Sequence, residues 1–267
     1  MKMPGAIRGA GIVLAAIVGI ACYFAARAAG QPAQDTTSGV IPFTYKAAVY
    51  FYGSDPAGKL ADISTLARRS DGTTVHVLSA GPLQIERNVY TRTIRYIDGS
   101  RVKLLDAAKV KSSYPPSDAA IWRRSVLHPP PNCVYAGESL LRENAGKVLG
   151  QAVVEIRPPA PPGYRIEAWA APGLACQVLT YRTEREEPDG TYQPASEKKA
   201  LSLQIGEPDP RLFAPGNGYT EMPPSEFGRR LGTLLGLSAS FTESPSMARA
   251  DHDYNTLRGE NPDWEGH

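Results

Sequence analysis

The chain has few of the residues from which metal centres and redox sites are built. Only three cysteines and four histidines occur among 267 residues, and no histidines are spaced as a metal-binding pair. A C-x-x-C motif is missing, and so is the G-x-S-x-G sequence that bends around a serine hydrolase nucleophile. We therefore predict no catalytic residue, no cofactor and no metal site, and we expect the protein not to be an enzyme.

An excess of either charge is also missing. Lysine and arginine number 29, aspartate and glutamate number 27, and the net charge is +2. A nearly neutral chain gives no electrostatic reason to bind a polyanion. We expect no nucleic-acid partner.

Long apolar runs are absent except near the N-terminus. There Lys2 and Arg8 precede the uncharged stretch Gly9–Ala26, which is typical of an export signal. The stretch is long for a signal peptide and just long enough to span a bilayer, whereas Ala26 and Ala28 would permit cleavage after Ala28. Two alternatives stay open: release into the periplasm or cell envelope, or anchoring in the inner membrane by residues 9–26.

Cys133 and Cys176 are the two cysteines that follow this stretch. Two cysteines in an oxidising compartment most often form a disulfide. The alternative is a reactive thiol, which is favoured by a neighbouring cysteine or a helix N-terminus. Because Cys133 follows the sequence HPPPN instead, we predict a Cys133–Cys176 disulfide.

The sequence VYFYGSDPAGKL has glycines and a lysine spaced as in a phosphate-binding loop, at Gly53, Gly58 and Lys59. In such a loop a serine or threonine follows the lysine and binds Mg²⁺, and a helix follows the loop. Here Leu60 occupies the hydroxyl position and Asp55 would repel phosphate. We interpret the segment as a strand that enters a turn, with Lys59 facing solvent.

Asp-Gly pairs recur at three places, in Ser70–Thr73, Ile97–Ser100 and Pro188–Thr191. These pairs tolerate the positive φ angles of tight hairpins, and β-forming residues flank each of them. The pattern predicts three β-hairpins.

Polar and apolar residues alternate in the C-terminal half. Leu201, Leu203 and Ile205 alternate with Ser202 and Gln204, as expected for a half-buried strand. We predict a four-strand meander over residues 147–205, with helices near 104–111, near 118–124 and after Pro224. The fold class is mainly β (α+β): a curved antiparallel sheet, or half-barrel meander, with a few helices.

Composition suggests four segments. Residues 1–30 form the signal peptide or anchor, and residues 31–42 are polar and form a linker. Residues 43–227 form a single β-rich domain. Residues 228–267 form a short helix and a poorly ordered tail.

Aromatic residues in the predicted strands suggest a binding surface. On a curved sheet they could line a site for an acyl chain or another apolar ligand. The alternative is that they are core residues and cross-strand pairs. The candidate lining residues are Tyr50, Tyr52, Tyr164, Trp169 and Tyr181.

The C-terminal half of the domain, roughly Cys133 to Glu226, resembles a family of uncharacterised exported bacterial proteins. They share W-x-A-P-x-L-x-C, then a variable Asp-Gly hairpin, then G-E-P-x-P-x-L-F-x-x-P-x-x-Y-x-E-x-x-P-S-E. The matching residues are Trp169, Ala171, Pro172, Leu174, Cys176, Asp189, Gly190, Gly206, Glu207, Pro208, Pro210, Leu212, Phe213, Pro215, Tyr219, Glu221, Pro224, Ser225 and Glu226. More distantly, the end of the domain resembles LolA-like periplasmic domains, half-barrels that carry or sense lipid-modified proteins.

This resemblance implies a non-enzymatic extracytoplasmic protein that binds an apolar or lipid-like ligand, or a lipidated partner such as a lipoprotein. The alternative is an envelope structural or interaction module without a small ligand. The resemblance brings no catalytic motif, and the oligomeric state stays open.

Overall fold

A computed structural model describes residues 39–53, 57–79, 81, 85–116 and 119–236. The N-terminal export segment, the expected linker up to residue 38 and the tail from residue 237 lie outside the described residues. Within the described part, neither helix combines the length and apolar character needed to cross a bilayer.

Twelve strands form one open, curved sheet, which confirms the predicted fold class. The N-terminal meander consists of β1 (Phe43–Phe51), β2 (Lys59–Arg68), β3 (Thr74–Leu78), β4 (Thr91–Arg95), β5 (Arg101–Leu105) and β6 (Val110–Tyr114). The C-terminal strands of the sheet are β7 (Ser139–Arg142), β10 (Val154–Arg157), β11 (Tyr164–Ala171), β12 (Gln177–Glu186) and β13 (Tyr192–Ile205). Strand β14 (Thr220–Glu221) pairs in parallel with β6 at one edge.

The two halves meet in the middle of the sheet, where β1 pairs with β13 from Phe43 opposite Ile205 to Phe51 opposite Ser196. A short separate hairpin, β8 (Lys147–Val148) and β9 (Gln151–Ala152), precedes β10. The first strand of the predicted meander, which begins at residue 147, is therefore interrupted. Leu149 and Gly150, both at positive φ, make the turn between β8 and β9.

The three Asp-Gly hairpins are confirmed and share one hydrogen-bonding pattern. In each turn the aspartate side chain accepts a hydrogen bond from the backbone N–H two residues later, over 2.8 Å at Asp71, 2.8 Å at Asp98 and 2.9 Å at Asp189. The glycine that follows each aspartate has a φ between 80° and 87°. Local chemistry therefore determines where these hairpins turn.

Strand β1 runs into β2 through the segment with the phosphate-loop spacing. Lys59 is exposed and begins a strand instead of following a phosphate-binding turn into a helix. The structure therefore supports the hairpin interpretation of this segment.

Two helices occur among the described residues: α1 (Ala119–Leu127) and α2 (Pro224–Leu235). Both lie close to predicted positions. The helix expected near 104–111 is wrong, because β5 and β6 occupy this segment and only a 3₁₀ turn at Asp106–Ala108 separates them. Lys109 at a φ of 53° ends that turn, which allows a tight antiparallel return.

Cross-strand pairs assign the side chains to two faces. The face that carries Ala168, Tyr181, Lys198, Val49 and Asp62 is called the inner face. It continues on β2–β6 through the row Ser64, Leu78, Thr91, Leu105 and Val110.

The chain covers both ends of the inner face. At the β6 edge, Phe227 and Leu235 of α2 pack with Leu105 and Val110 in one buried cluster. Over β10–β12, the segment that contains Cys133 packs in a second cluster with inner-face residues such as Ile166 and Ala168.

The Cys133–Cys176 disulfide fixes the second cover, with a Cα–Cα distance of 5.1 Å. Cys176 immediately precedes β12, so the bond connects the segment after α1 directly to the sheet. The sequence prediction of this disulfide is confirmed.

The closing segment, residues 206–222, packs on the outer face of the N-terminal meander. Phe213 is buried with Ala67, Val75, Ile94 and Leu104. The sequence analysis identified this motif by its resemblance. The structure shows that it covers the face of the sheet opposite α2.

Arg92 fastens the closing segment to the sheet. Its guanidinium donates to the Asp106 carboxylate over 2.8 and 2.7 Å and to the carbonyl oxygen of Leu212 over 3.0 Å. The Tyr219 hydroxyl donates to Asp106 as well. Arg92 therefore binds the closing segment directly at Leu212, and Asp106 connects it to the same segment at Tyr219.

Candidate functional site

A group of polar side chains crosses the inner face from β12, where Tyr181 is buried in the cluster that contains Cys133, to β3. We call it the inner-face polar cluster and define it as Tyr45, Asp62, His76, Tyr181 and Lys198. Cross-strand pairs place these residues on five strands, β1, β2, β3, β12 and β13. Asp62, His76 and Lys198 are half-buried and retain access to solvent.

Lys198 is the cation of this cluster. Its Nζ lies 3.3 Å from the carbonyl oxygen of Val178 and 4.9 Å from the centre of the Tyr45 ring. Among the described residues, no carboxylate oxygen lies within salt-bridge distance of it. Burial lowers the pKa of Lys198 to about 8, and the charge of Asp62 opposes this shift.

Asp62 is held by Ser79, whose hydroxyl donates to Oδ1 over 2.9 Å. The Ser79 hydroxyl in turn accepts from the backbone N–H of Ile63 over 2.9 Å. Burial raises the pKa of Asp62 above its ordinary value, while the Ser79 bonds and the charge of Lys198 act against this rise.

The other members of the cluster are uncharged at neutral pH. Burial and, to a smaller extent, the charge of Lys198 lower the pKa of His76 to about 4. Burial also raises the pKa of Tyr45 and of Tyr181. The Tyr45 hydroxyl donates to the carbonyl oxygen of Leu179.

This arrangement suits recognition better than reaction chemistry. A neutral imidazole at low pKa is a weak base, and no serine or cysteine nucleophile in the described residues is hydrogen-bonded to it. Within the described part of the chain, no three His, Cys, Asp or Glu side chains are grouped as metal ligands.

A second cation, Lys103, lies farther along the inner face. It pairs across the sheet with Thr93 and Ser112, in the same row as His76. Its Nζ lies 5.1 Å from the centre of the Tyr114 ring. Burial, and then the charge of Arg101, lower the pKa of Lys103.

Charges on the outer face of the C-terminal strands are arranged differently, because they form ion pairs from strand to strand. Glu167 accepts from Arg157 over 3.2 Å and from Arg182 over 3.1 Å, and Lys199 lies 3.4 Å from Glu197. Arg165 donates to Glu184, and Arg142 to Glu155. The outer face thus neutralises its own charges.

The structure divides the five sequence-predicted lining residues between the two faces. Tyr181 is buried on the inner face, and Tyr164 falls on the same face by alternation along β11. Tyr50 lies 5.0 Å under Lys199 and Tyr52 donates to Glu197 over 2.5 Å, both on the outer face. Trp169 pairs with Glu155 and is partly buried against Leu174 and its neighbours. A lining role for these residues stays a prediction.

Sequence reasoning missed Lys198 because β13 contains a bulge. The pairing of β1 with β13 skips Leu201, so the alternation read from Leu203 and Ile205 changes phase there. Lys198 therefore shares the inner face with Leu203, although simple alternation puts it on the opposite face. Leu201 and Ile205, expected to pack, are 54% and 49% exposed.

Asp62 and His76 carried no sequence signal either. Asp62 lies beside a bulge where β1 pairing skips Ala61, and His76 is one of four scattered histidines. Only the order of strands brings them near Lys198.

No family model matches the chain, and no curated protein is significantly similar to it. Among solved structures, MucB overlaps with a TM-score of 0.31 at 12% identity, over 75% of this chain and 64% of that chain. The MucA/MucB complex of Pseudomonas aeruginosa gives a TM-score of 0.31 at 13% identity, over 68% and 59%. This chain therefore spans less than two thirds of the MucB chains that it overlaps.

An outer membrane lipoprotein-sorting protein domain from Vibrio parahaemolyticus overlaps with a TM-score of 0.25 at 10% identity, over 70% of this chain and 91% of that chain. A DUF1329 family protein from Desulfovibrio piger gives 0.20 at 9% identity, over 76% and 96%. Overlaps of this size do not establish a shared fold.

Proposed function

We propose that the protein is an extracytoplasmic, non-enzymatic binding module. Its inner face takes an apolar or lipid-like ligand, or the lipid part of a lipidated partner. The observation that carries this proposal is the state of the inner face between its two covers. Leu66, His76, Leu78 and Lys198 are half-buried there, beside Tyr45 and Ala47, which are fully buried in a cluster with Val153 and Leu174.

The chemistry of this middle section fits an amphiphile. Leu66 and Leu78 supply apolar contact area, while Lys198 and the ring nitrogens of His76 supply polar contacts beside them. Binding sites for small ligands combine such apolar walls with a few placed polar groups. Tyr181 and Tyr164 of the predicted lining set lie on the same face and belong to this proposal.

Two features support an extracytoplasmic location. The disulfide forms and persists in an oxidising compartment. The basic flank and the apolar stretch at residues 9–26 are what export machinery recognises.

A second function, an envelope interaction module without a small ligand, is favoured by the covers themselves. α2 and the disulfide-linked segment fill both ends of the inner face with the protein's own side chains. In this second function, protein contacts would use the outer surface.

Native mass spectrometry of protein purified from membranes tests the proposal. We expect a co-purifying mass of lipid size that disappears after organic extraction, and that returns when lipid is added back. The matched control is the same protein refolded in the absence of lipid. Absence of any bound lipid, together with no displacement of a fluorescent fatty-acid probe, would overturn the proposed function in favour of the interaction module.

A further inference from the structure

We propose that the ligand of the inner face carries a single acidic group, and that Lys198 binds this group. This inference rests on the proposed function and names the chemical class of its ligand: an amphiphile with a carboxylate or another monoanionic head.

The first argument is the contrast between Lys198 and Lys199, which are adjacent in β13 and point to opposite faces. Lys199 lies 3.4 Å from Glu197 on the outer face. Lys198 has an aromatic ring at 4.9 Å and a carbonyl oxygen at 3.3 Å, but no carboxylate within salt-bridge distance among the described residues. Charged groups that are partly removed from water are normally paired, so Lys198 indicates an anionic partner that the described residues do not supply.

The second argument is the distribution of charge on the inner face. Lys103 repeats the pattern of Lys198, with an aromatic ring at 5.1 Å and no carboxylate within salt-bridge distance in the described part of the chain. Asp62 is the acidic side chain that cross-strand pairing assigns to the middle of this face, and Ser79 occupies one of its oxygens. The middle of the inner face therefore has more positive than negative charge.

Asp62 also limits the charge of the ligand. Asp62 influences the Lys198 ammonium electrostatically, so a dianion at Lys198 would gain twice the attraction of a monoanion but also meet twice the repulsion from Asp62. The dianion's Born cost of leaving water would be about four times as large, which favours a monoanion beside a single lysine. His76 is uncharged at neutral pH and therefore adds no second positive charge beside Lys198. A carboxylate meets these conditions better than a phosphate monoester.

Matched twelve-carbon probes test the inference at pH 6.5 by displacement of a fluorescent probe from full-length protein. Dodecanoate and dodecan-1-ol have the same chain and differ in the head group, and acetate has the carboxylate without the chain. We expect wild-type protein to bind dodecanoate at least about 10-fold more tightly than dodecan-1-ol, the preference that one charge-assisted hydrogen bond supplies. Acetate is expected not to compete at millimolar concentration.

Three variants locate the preference. Lys198→Met keeps the apolar stem and should lose the preference for dodecanoate, while its affinity for dodecan-1-ol stays within about 2-fold. Lys198→Arg keeps the charge and should retain the preference. Lys199→Met, the neighbour on the outer face, should behave as wild type.

The outcomes separate this inference from the proposed function. Equal wild-type affinity for dodecanoate and dodecan-1-ol would overturn the acidic-group inference and leave the proposed function standing. Binding of neither probe would overturn both. If acetate competes as well as dodecanoate, the site binds small anions, and the inference that the ligand is an amphiphile would be overturned. Because the first comparison uses wild-type protein, a variant that fails to fold does not remove the test.

Discussion

At the residue scale, Gly72 and Gly190 show how neighbouring side chains change the stability cost of replacing a glycine that has a positive φ. Both follow aspartate in the same kind of turn, with φ values of 83° and 80°. An added Cβ at Gly190 would meet no atom within 4 Å, whereas one at Gly72 would lie 2.8 Å from Cδ1 of Ile97 and 3.4 Å from Cγ1 of Val126. Gly72 therefore has a role in α1 packing that Gly190 lacks.

We expect Gly190→Ala to lower the free energy of unfolding by about 1 kcal/mol, the cost of a left-handed conformation for alanine. Gly72→Ala should cost about 1 kcal/mol more, because Ile97 must move against Val126. Urea denaturation of both variants beside wild type measures the difference. Equal losses would show that Ile97 shifts without resistance.

His76 gives a pH-dependent prediction. Its pKa is about 4 in the folded protein, below the ordinary value of 6.5. The unfolded chain therefore binds a proton first as the pH falls, and the folded state loses stability between pH 6.5 and pH 4. We expect His76→Gln to reduce this loss by up to about 3 kcal/mol.

The comparison must be made between the two proteins at each pH, because Asp62 titrates nearby with a raised pKa and stabilises the folded state in acid. Asp62 and the charged Lys198 are present in both proteins, so the difference isolates His76. Urea denaturation at pH 7, 5.5 and 4 measures it. Parallel stability curves would mean that the imidazole is not desolvated in the folded state.

At the element scale, the closing segment depends on Arg92. Arg92→Met removes the guanidinium that donates to Asp106 and to the carbonyl oxygen of Leu212, and leaves the Tyr219 hydroxyl as a donor to Asp106. We expect a loss of about 2 to 3 kcal/mol in the free energy of unfolding. Arg92→Lys should recover only part of this loss, because an ammonium cannot bind a carboxylate in the bidentate way.

Arg211→Met is the matched control. Arg211 lies in the same segment and pairs with Asp209, but its side chain is 89% exposed. Exposed ion pairs contribute little, so the change should stay within about 0.5 kcal/mol of wild type. Thermal unfolding of Arg92→Met, Arg92→Lys and Arg211→Met, each beside wild type, measures these losses of stability. A loss for Arg211→Met equal to that for Arg92→Met would contradict the assigned role of Arg92.

The disulfide holds the cover over β10–β12. Its cysteines are 43 positions apart. In the chain-entropy account, a crosslink over that distance lowers the entropy of the unfolded chain and stabilises the folded state by about 4 kcal/mol. We expect the double variant Cys133→Ser, Cys176→Ser to lose stability of this order, and wild-type protein under oxidising conditions to show no reaction of Cys133 or Cys176 with a thiol reagent. Wild type treated with reductant is the control for the substitution itself.

Elements were predictable from sequence where local chemistry determines them. The Asp-Gly turns could be located because aspartate and glycine themselves satisfy the turn, and α2 because apolar residues recur after Pro224. The false helix at 104–111 arose because a buried strand pair and a helix share apolar residues such as Leu104, Leu105 and Val110. Bulges near Ala61 and Leu201 reverse the alternation, so the side chains of the candidate site could not be assigned to a face.

At the scale of the whole molecule, the proposed export leaves two states of the N-terminus: cleavage would release the proposed binding face into the envelope, and an uncleaved segment would hold it at the membrane. We expect a cleaved export signal to give a mature protein that begins at Ala29, since Ala26 and Ala28 suit signal peptidase. Intact mass and N-terminal sequencing of the exported protein measure this. A protein that keeps residues 1–28 and sediments with membranes would establish the anchor instead, and Ala28→Tyr gives an uncleaved reference.

The pairing of β1 with β13 also bears on how an exported chain folds. An exported chain emerges with its N-terminus first, so β1–β6 can pair locally while one edge of β1 stays open until residues near Ile205 arrive. Open strand edges aggregate, and pairing between distant strands is slow. The proposed export therefore implies an interval during translocation in which a half-sheet is exposed to other chains. A chain that ends before β13 would keep that edge open permanently, and would need a holding chaperone to remain soluble.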